Sequence, residues 1–222
     1  MNTAEDSRIL MAERCAEEMK NIFRNTKHMP KEAVNLITEA EKKILEIKYS
    51  YAELDDLKEY FEELKSIMKK LLDALGGADW SRTMRSKGVD AEKIAKLKFG
   101  MNIIYNLDSR LRLPPDPAYA VDIRLGRVES VHKHPNADRL KICNVNVGRM
   151  ITVITNDLTV KEGDMIPVAM LPPADIRGVV SEGMFVGAGE GVSRKNGKIG
   201  ELPSLTDEEL NSVRKEVLKY LR

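Results

Sequence analysis

The chain has 222 residues, of which 42% are hydrophobic and 32% are charged. These values are typical of a soluble globular protein, and the length is enough for one large domain or two small ones. No apolar run approaches the roughly 18 residues that a membrane helix needs. The acidic N-terminus lacks the apolar segment of a secretory signal. We therefore expect a cytoplasmic protein without a membrane segment.

Charge is balanced in both halves of the chain. Residues 1–118 carry 21 Lys and Arg side chains against 21 Asp and Glu, and residues 119–222 carry 15 against 14. A protein that holds nucleic acid by bulk charge has a clear basic excess. The balance excludes that mode, so any RNA binding must come from a local patch.

The sequence changes character around residues 114–118, which we interpret as a proline-rich linker because Pro114, Pro115 and Pro117 cannot continue a helix. Before it, apolar residues recur at helical spacing. A second helix is predicted to open at Pro30, a third to end at Gly76-Gly77, and a fourth to start near Asp90. The four apolar stripes are Met11, Cys15, Met19, Ile22 and Phe23; Ala33, Ile37, Ala40, Ile44, Ile47 and Tyr51; Leu54, Leu57, Phe61, Leu64, Ile67, Met68, Leu71 and Leu75; and Ile94, Leu97, Met101, Ile104 and Leu107.

These amphipathic helices must bury their apolar faces against one another or against a second chain. We therefore predict a helical bundle domain over residues 1–113. Trp80 falls in a polar loop between the third and fourth helices and is interpreted as a packing residue. Cys15 and Cys143 match no metal or redox spacing and are expected to be buried free thiols.

After the linker, the apolar period shortens to that of strands. Val121, Ile123 and Leu125 alternate with polar residues, and the parity changes past Gly126, which predicts a bulge there. Further strands are predicted at residues 140–147, 150–155, 165–171 and 184–188. We expect the third of the five to be buried or central, and the fourth, which contains Pro167, to lie at an edge or bulge. Five short strands in about 70 residues predict a small closed barrel.

The barrel domain is placed at residues 119–192, and residues 193–222 are predicted to form a C-terminal extension with a helix. Thr206 and Glu209 have the spacing of a capping box at the start of that helix. The predicted fold class is thus α+β, with an N-terminal α-helical bundle, a five-stranded β-barrel and a C-terminal helix.

Four motifs within residues 120–192 carry a resemblance to a known family. They are residues 121–128 (VDIRLGRV), 134–140 (HPNADRL), 176–179 (IRGV) and 181–184 (SEGM). In this order they resemble the tRNA-binding domain family. That family includes the C-terminal domain of many methionyl-tRNA synthetases, the domain of endothelial monocyte-activating polypeptide, free-standing tRNA-binding dimers and a bacterial export-related chaperone. Residues 1–118 match no family that we recognise.

The resemblance implies a five-stranded OB-fold β-barrel that docks on the outside corner of folded tRNA. Such a domain reads shape more than sequence, because an A-form helix hides its base edges in a deep groove. The candidate tRNA-binding residues are Asn136, Arg139, Lys141, Asn156, Arg177, Ser181 and Met184.

Arg177 is the strongest phosphate candidate, because its planar guanidinium matches phosphate geometry; the alternative is a salt bridge to Asp175 or Glu182. Arg139 and Lys141 alternate on one face of the second predicted strand, as a groove-lining pair should.

The other candidates have plainer alternatives. Asn136 either contacts RNA or only stabilises a turn, and Ser181 either donates to a phosphate or is a turn hydroxyl. Asn156 stands where many relatives have glycine, and asparagine tolerates positive φ best among the other residues. Met184 is expected at the edge of the face. The loop before Arg177 has no lysine, although many relatives have one, which thins the positive patch.

No catalytic residue, cofactor or metal site is predicted. The chain has no P-loop, nucleotide-binding glycine fingerprint or HEXXH motif, and His132 and His134 lack a third ligand. The first functional hypothesis is a non-enzymatic tRNA-binding protein that assists an aminoacyl-tRNA synthetase. The alternative is a dimeric protein-interaction or chaperone-like module that uses the same face. A homodimer is expected in either case, because free-standing relatives are dimers and the amphipathic helices offer apolar faces.

Overall fold

The computed structural model describes residues 3–189 and 191–222. The chain divides into two compact units, the first up to Asp116 and the second from Pro117 to Tyr220. None of the helices in these described ranges is long and apolar enough to cross a membrane. The helices of the first unit are α1 (Ser7–Asn25), α2 (Lys31–Lys48), α3 (Lys58–Leu75), α4 (Trp80–Ser86), α5 (Ala91–Tyr105) and α6 (Leu107–Leu111).

The predicted ends at Pro30, Gly76 and Asp90 are confirmed, but three stripes extend past their helices: Leu54 and Leu57 precede α3, Leu107 begins α6, and Tyr51 follows α2. Pro30 directly precedes α2, and Gly76 ends α3 in a left-handed conformation with φ +113°. The Asp90 carboxylate caps α5 by accepting from the backbone N–H of Glu92 at 2.8 Å. Tyr51 was wrongly assigned to the stripe of α2. That helix ends at Lys48, and Tyr51 is 61% exposed with φ +52°.

The helical unit buries its own apolar faces, because α1 packs on α2 and α5 while α3 packs on the same two helices. Gly100 permits the close approach of α5 to α1, since a Cβ there would lie 2.5 Å from Met19 Sδ. Trp80 is buried, as expected of a packing residue, but it begins α4 and does not lie in a loop. Both free cysteines are buried.

A buried arginine ties the start of the proline-rich linker to the helical unit. Arg8 is 2% exposed and pairs with Asp6. Its Nη1 donates to the carbonyl oxygens of Leu113 at 2.6 Å and Pro114 at 3.2 Å, and to two carbonyls of α6. The first linker residues therefore belong structurally to the helical unit.

The second unit is built on a five-stranded antiparallel sheet in the order β3-β2-β1-β4-β7, with two small hairpins, β5–β6 and β8–β9, and the C-terminal helix α7. The elements are β1 (Ile123–His134), β2 (Ala137–Asn146), β3 (Met150–Thr155), β4 (Met165–Ala169), β5 (Ala174–Ile176), β6 (Val179–Ser181), β7 (Met184–Phe185), β8 (Gly187–Ala188), β9 (Gly191–Val192) and α7 (Asp207–Leu221).

Strand β1 is buried on both faces in its first half, which explains the change of apolar parity. The Leu125 side chain lies on one face, where a Cβ on Gly197 would come within 2.9 Å of Leu125 Cδ2. Along the edge of the strand, the Leu125 backbone exchanges hydrogen bonds with Gly200 and Glu201. Gly126 lies on the other face, where a Cβ would come within 2.6 Å of Val145 Cγ1 in the core. The predicted bulge at Gly126 is therefore wrong. The register shift comes later, between Val128 and Ser130.

Two predictions about strand positions need correction. Strand β3 buries Ile151, Val153 and Thr155, as one of its two predicted alternatives requires, but it lies at the end of the strand order and is not central. Its outer backbone groups are nevertheless satisfied, because the Ile154 N–H donates to Ser181 Oγ at 3.1 Å and the Glu182 N–H donates to the Thr152 carbonyl at 2.8 Å. Strand β4 lies between β1 and β7, although it contains Pro167. The proline fits because Leu125, opposite it, directs its own N–H and C=O away from β4.

The residues after β9 are attached to the sheet by hydrogen bonds. The Lys195 N–H donates to the carbonyl of Met165 at 2.9 Å. Helix α7 begins with the predicted capping box, which is confirmed: the Glu209 N–H donates to Thr206 Oγ1, and the Thr206 N–H donates to Glu209 Oε2 at 2.8 Å. Burial by itself raises the pKa of Glu209. Hydrogen bonds from Lys195, Ser193 and Thr206 outweigh this effect and lower the pKa to about 2.

The low pKa of Glu209 predicts a defined pH dependence of stability. Its folded pKa lies below the ordinary value of 4.5, so its contribution is complete above pH 4.5 and is lost as the pH falls towards 2. At pH 7 we expect Glu209→Gln to lower the free energy of unfolding by about 2 kcal/mol. This difference from wild type should shrink between pH 4.5 and 2. Urea unfolding across this range measures it, with exposed Glu208→Gln as the control. A difference that does not change with pH would contradict the prediction.

Candidate nucleic-acid interface

The hairpin that joins β1 to β2 has an irregular register at its end. Lys133 pairs with Lys141 and His134 pairs with Ala137, which leaves residues 138–140 as a bulge in β2. A bulge re-aims side chains away from the regular face of a strand. Arg139, in the middle of this bulge, is exposed.

A second hairpin, β5–β6, turns over two residues with left-handed backbones. Ile176 pairs with Val179, and between them Arg177 has φ +53° and Gly178 has φ +94°. This is the pattern of a type I′ turn, which favours Asn, Asp or Gly at both positions. Arginine in the left-handed region is strained, and such strain persists only where the surroundings hold it.

The two hairpin turns hold each other through backbone and side-chain groups. Asn136 Nδ2 donates to the Arg177 carbonyl at 2.9 Å, and Arg177 Nη1 donates to the Asn136 carbonyl at 3.2 Å. His134 Nε2 lies 2.9 Å from the Ile176 carbonyl oxygen. We name the exposed surface formed by Lys133, Asn136, Arg139 and Arg177 the hairpin edge.

The structure thus brings two of the predicted site residues, Asn136 and Arg177, into direct contact, with Arg139 on the same hairpin. It gives Lys141 a different task. Lys141 Nζ donates to the carbonyls of Leu158 at 2.6 Å and Val160 at 2.9 Å, and so secures the loop after β3.

The remaining three candidates are less suited to the contacts expected of them. Ser181 is 5% exposed, and its hydroxyl accepts from the Ile154 N–H and donates to the Gly183 carbonyl at 3.0 Å. It is therefore a structural hydroxyl of the β3 edge. Asn156 is exposed after β3, but it is not among the positive-φ residues of the described chain. Met184 is half-buried on β7 and pairs with Ala169.

Sequence reasoning missed Lys133, which is exposed and directly opposite Lys141 in the register of β1 and β2. The Lys141 ammonium is held by the carbonyls of Leu158 and Val160, so Lys133 is the more exposed charge of the pair. The positions of the two lysines, on either side of the turn motif, were the available signal. They could not be paired in advance, because the bulge at residues 138–140 alters the register.

Much of the positive charge on the sheet unit is already paired. Four basic side chains form ion pairs with N–O distances of 2.9–3.4 Å: Arg127 with Glu129, Arg149 with Glu182, Arg194 with Asp164 and Lys195 with Glu209. Burial by itself raises the pKa of Asp164, but hydrogen bonds from Arg194 and from the Lys161 N–H outweigh this effect and lower it. Within residues 3–189 and 191–222, no group of three His, Cys, Asp or Glu side chains could hold a metal ion.

The fold defines a protein with a helical unit followed by a β-sheet domain, and comparison with known proteins identifies both. Residues 1–114 match the family described as "Alpha helical domain", and residues 123–208 match the one described as "Putative tRNA binding domain". The chain belongs to the alpha helical domain family, which covers more than half of it, and its second unit is a tRNA-binding domain. The predicted resemblance to the tRNA-binding domain family is confirmed. The helical half, for which the sequence analysis recognised no family, matches the alpha helical domain family.

Relatives include beta subunits of phenylalanine–tRNA ligase. That of Moorella thermoacetica is 43% identical over 75 residues, covering 29% of this chain and 9% of the subunit. That of Aromatoleum aromaticum is 32% identical over 136 residues, covering 56% of this chain and 16% of the subunit. That of Parasynechococcus marenigrum is 34% identical over 105 residues, covering 41% of this chain and 13% of the subunit. The chain therefore corresponds to a small part of these subunits.

The left-handed backbone at Arg177 predicts a difference between two substitutions. Arg177→Ala and Arg177→Asn both remove the guanidinium, but asparagine tolerates positive φ and alanine does not. We expect the Asn variant to be more stable than the Ala variant by about 1 kcal/mol in urea unfolding. Equal stabilities would show that the turn is not left-handed in solution.

Proposed function

We propose that this chain is a tRNA-binding protein whose sheet unit docks folded tRNA through the hairpin edge and reads its shape. The match of residues 123–208 to the tRNA-binding family supports the ligand class. The observation that carries the site is the contact between Asn136 and Arg177, which holds an exposed arginine in a strained conformation. Strain that the surroundings maintain is a reason to infer function at that residue.

The proposed architecture is an OB-type barrel. Its support is that Ser181 at the end of β6 and Glu182 just after it hydrogen-bond to the outer edge of β3, while β7 pairs with β4 at the opposite end of the strand order. A sheet whose two ends are joined in this way presents no long edge for aggregation.

The proposed mode of recognition follows from the shortage of unpaired positive charge. Phosphate contacts position a protein on a nucleic acid without reading sequence. Lys133, Arg139 and Arg177 supply cationic groups, and Asn136 supplies an amide. Because so few phosphates can be engaged, affinity depends on fitting a fixed backbone geometry, which folded RNA offers and an unstructured strand does not.

Binding of tRNA should respond to Arg177 and to the fold of the RNA. We expect tRNA to bind more tightly than single-stranded RNA of equal length, with a shallow salt slope of about −1 to −3 for one to three phosphates. Arg177→Ala should weaken binding of different tRNAs equally, by about 1–3 kcal/mol, in salt-titrated fluorescence anisotropy.

The matched control for this experiment is Arg82→Ala in the helical unit, where the side chain is 87% exposed. Arg8 is unsuitable, because it is buried and bonds to the linker. Equal affinity for tRNA and unstructured RNA would contradict the proposal, as would an Arg177→Ala variant that binds like wild type.

An aminoacyl-tRNA synthetase is the proposed partner, and the chain is proposed to assist it without catalysing aminoacylation. The support is that the related chains are subunits of a tRNA ligase, of which this chain corresponds to at most 16% in the three alignments described. The ion pairs on the sheet unit favour the second candidate, a protein-interaction or chaperone-like module that uses the same face. The RNA-binding experiment separates the two.

We also propose a homodimer, although the helical unit leaves fewer apolar faces for pairing than the sequence predicts. The apolar stripes of α1, α2 and α3 are buried within the helical unit itself. One surface feature that could still pair is a groove of about 230 Å³ lined by Met68, Lys69, Leu72, Met101, Asn102 and Tyr105. Light scattering at micromolar concentration should give about twice the chain mass of 25.0 kDa. A mass of one chain would exclude the dimer, and Leu72→Lys should dissociate it if the groove is the interface.

A further inference from the structure

His134 lies between the two hairpin turns and bonds to both. It is the last residue of β1 and is 4% exposed. Its Nδ1 accepts from the backbone N–H of Asn136 at 3.1 Å, within its own turn. Its Nε2 faces the carbonyl oxygen of Ile176 at 2.9 Å, in the turn of the other hairpin.

These two partners determine the protonation of the ring. A backbone N–H can only donate, so Nδ1 must carry a lone pair. A carbonyl oxygen can only accept, so Nε2 must carry the hydrogen. Only the neutral imidazole with the proton on Nε2 makes both bonds.

The bond to Ile176 has a consequence for Arg177. The carbonyl of Ile176 belongs to the peptide plane before Arg177, and the carbonyl of Arg177 belongs to the plane after it. His134 holds the first carbonyl and Asn136 holds the second, at 2.9 Å each. Fixing both planes fixes φ and ψ of the residue between them, Arg177, which is the first of the two left-handed residues of the turn.

We propose that His134, in its Nε2–H form, is the positioning residue that holds Arg177 in its left-handed conformation and so aims the guanidinium at a phosphate of the RNA. This inference rests on the proposed function for the role of Arg177. His134 itself is buried behind the turn and acts through its neighbour. The alternative is a purely local role, in which His134 only stabilises its own turn through the bond from Asn136.

Two conservative variants separate these roles, because each keeps one of the two bonds. His134→Gln places an amide donor near Nε2 and can still hold the Ile176 carbonyl. His134→Asn places an amide oxygen near Nδ1 and can still accept from the Asn136 N–H. If His134 positions Arg177, the Gln variant keeps more tRNA affinity than the Asn variant, and His134→Ala loses about tenfold. If His134 only stabilises its own turn, the Asn variant keeps more tRNA affinity than the Gln variant.

A double-mutant cycle with Arg177→Ala tests whether His134 acts through Arg177. Once the guanidinium is absent, His134→Ala should weaken tRNA binding less than twofold further, because the two changes remove the same contact. If the double variant loses tRNA affinity by the full product of the two single-variant losses, the positioning role is overturned. His28→Asn is the control, because His28 is exposed in the helical unit with φ +69°, which asparagine tolerates.

A measurement without RNA keeps this inference distinguishable from the proposed function. The chain has three histidines, so ¹⁵N spectra of the imidazoles are readily assigned with His134→Gln. We expect one ring locked with a protonated Nε2 and an unprotonated Nδ1. A His134 ring that exchanges between tautomers would overturn the positioning role even if tRNA binds. A locked ring in a chain that does not prefer tRNA would overturn the proposed function and the RNA-aiming step, while supporting the hold on Arg177.

Discussion

The second unit depends on one constraint, the burial of β1 on both of its faces. The first half of this strand pairs with β4 and the second half pairs with β2, so its position fixes the order of the other main strands. One face lies against the core around Val145, where only glycine fits at position 126. The other face packs against the segment at Gly197, and the edge of the strand is hydrogen-bonded to residues 200–201, so the chain after β9 belongs to the same compact unit. The end of the strand, at His134, then carries the hairpin edge.

The hairpin edge illustrates how a domain of balanced charge can still present a local cationic site. Ion pairs on the rest of the sheet unit engage Arg124, Arg127, Arg149, Arg194 and Arg214, and Lys141 satisfies two backbone carbonyls. The groups left at the surface are few, and their value to a ligand depends on their being held in place. A network of hydrogen bonds between two tight turns provides that hold, because each turn fixes backbone groups of the other.

The sequence was most informative where local rules decide the conformation. Helix ends at Pro30, Gly76 and Asp90, and the capping box of α7, follow from backbone chemistry within a few residues and were predicted correctly. Errors arose where distant residues decide. The short helix α4 escaped notice because seven residues carry little periodicity, and Trp80 was therefore placed in a loop. Strand β3 is buried by other segments although it ends the strand order, and burial alone does not tell a central strand from a covered edge. The strand with Pro167 was expected at an edge or bulge, and it lies between two strands because Leu125 opposite the proline directs its backbone groups elsewhere.

The candidate site shows the same division. The sequence by itself determined the family of the sheet domain, since four motifs lie within one stretch of chain. It also singled out Arg177 as a phosphate candidate, because arginine suits phosphate whatever its surroundings. Only the tertiary structure decided that Ser181 and Lys141 make internal bonds, that Lys133 faces Lys141, and that His134 and Asn136 hold the turn around Arg177. The physical reason is that a hydrogen bond between hairpins separated by about 40 residues depends on strand register. Register in this sheet is set by bulges and by packing on both faces of β1, which no local pattern encodes.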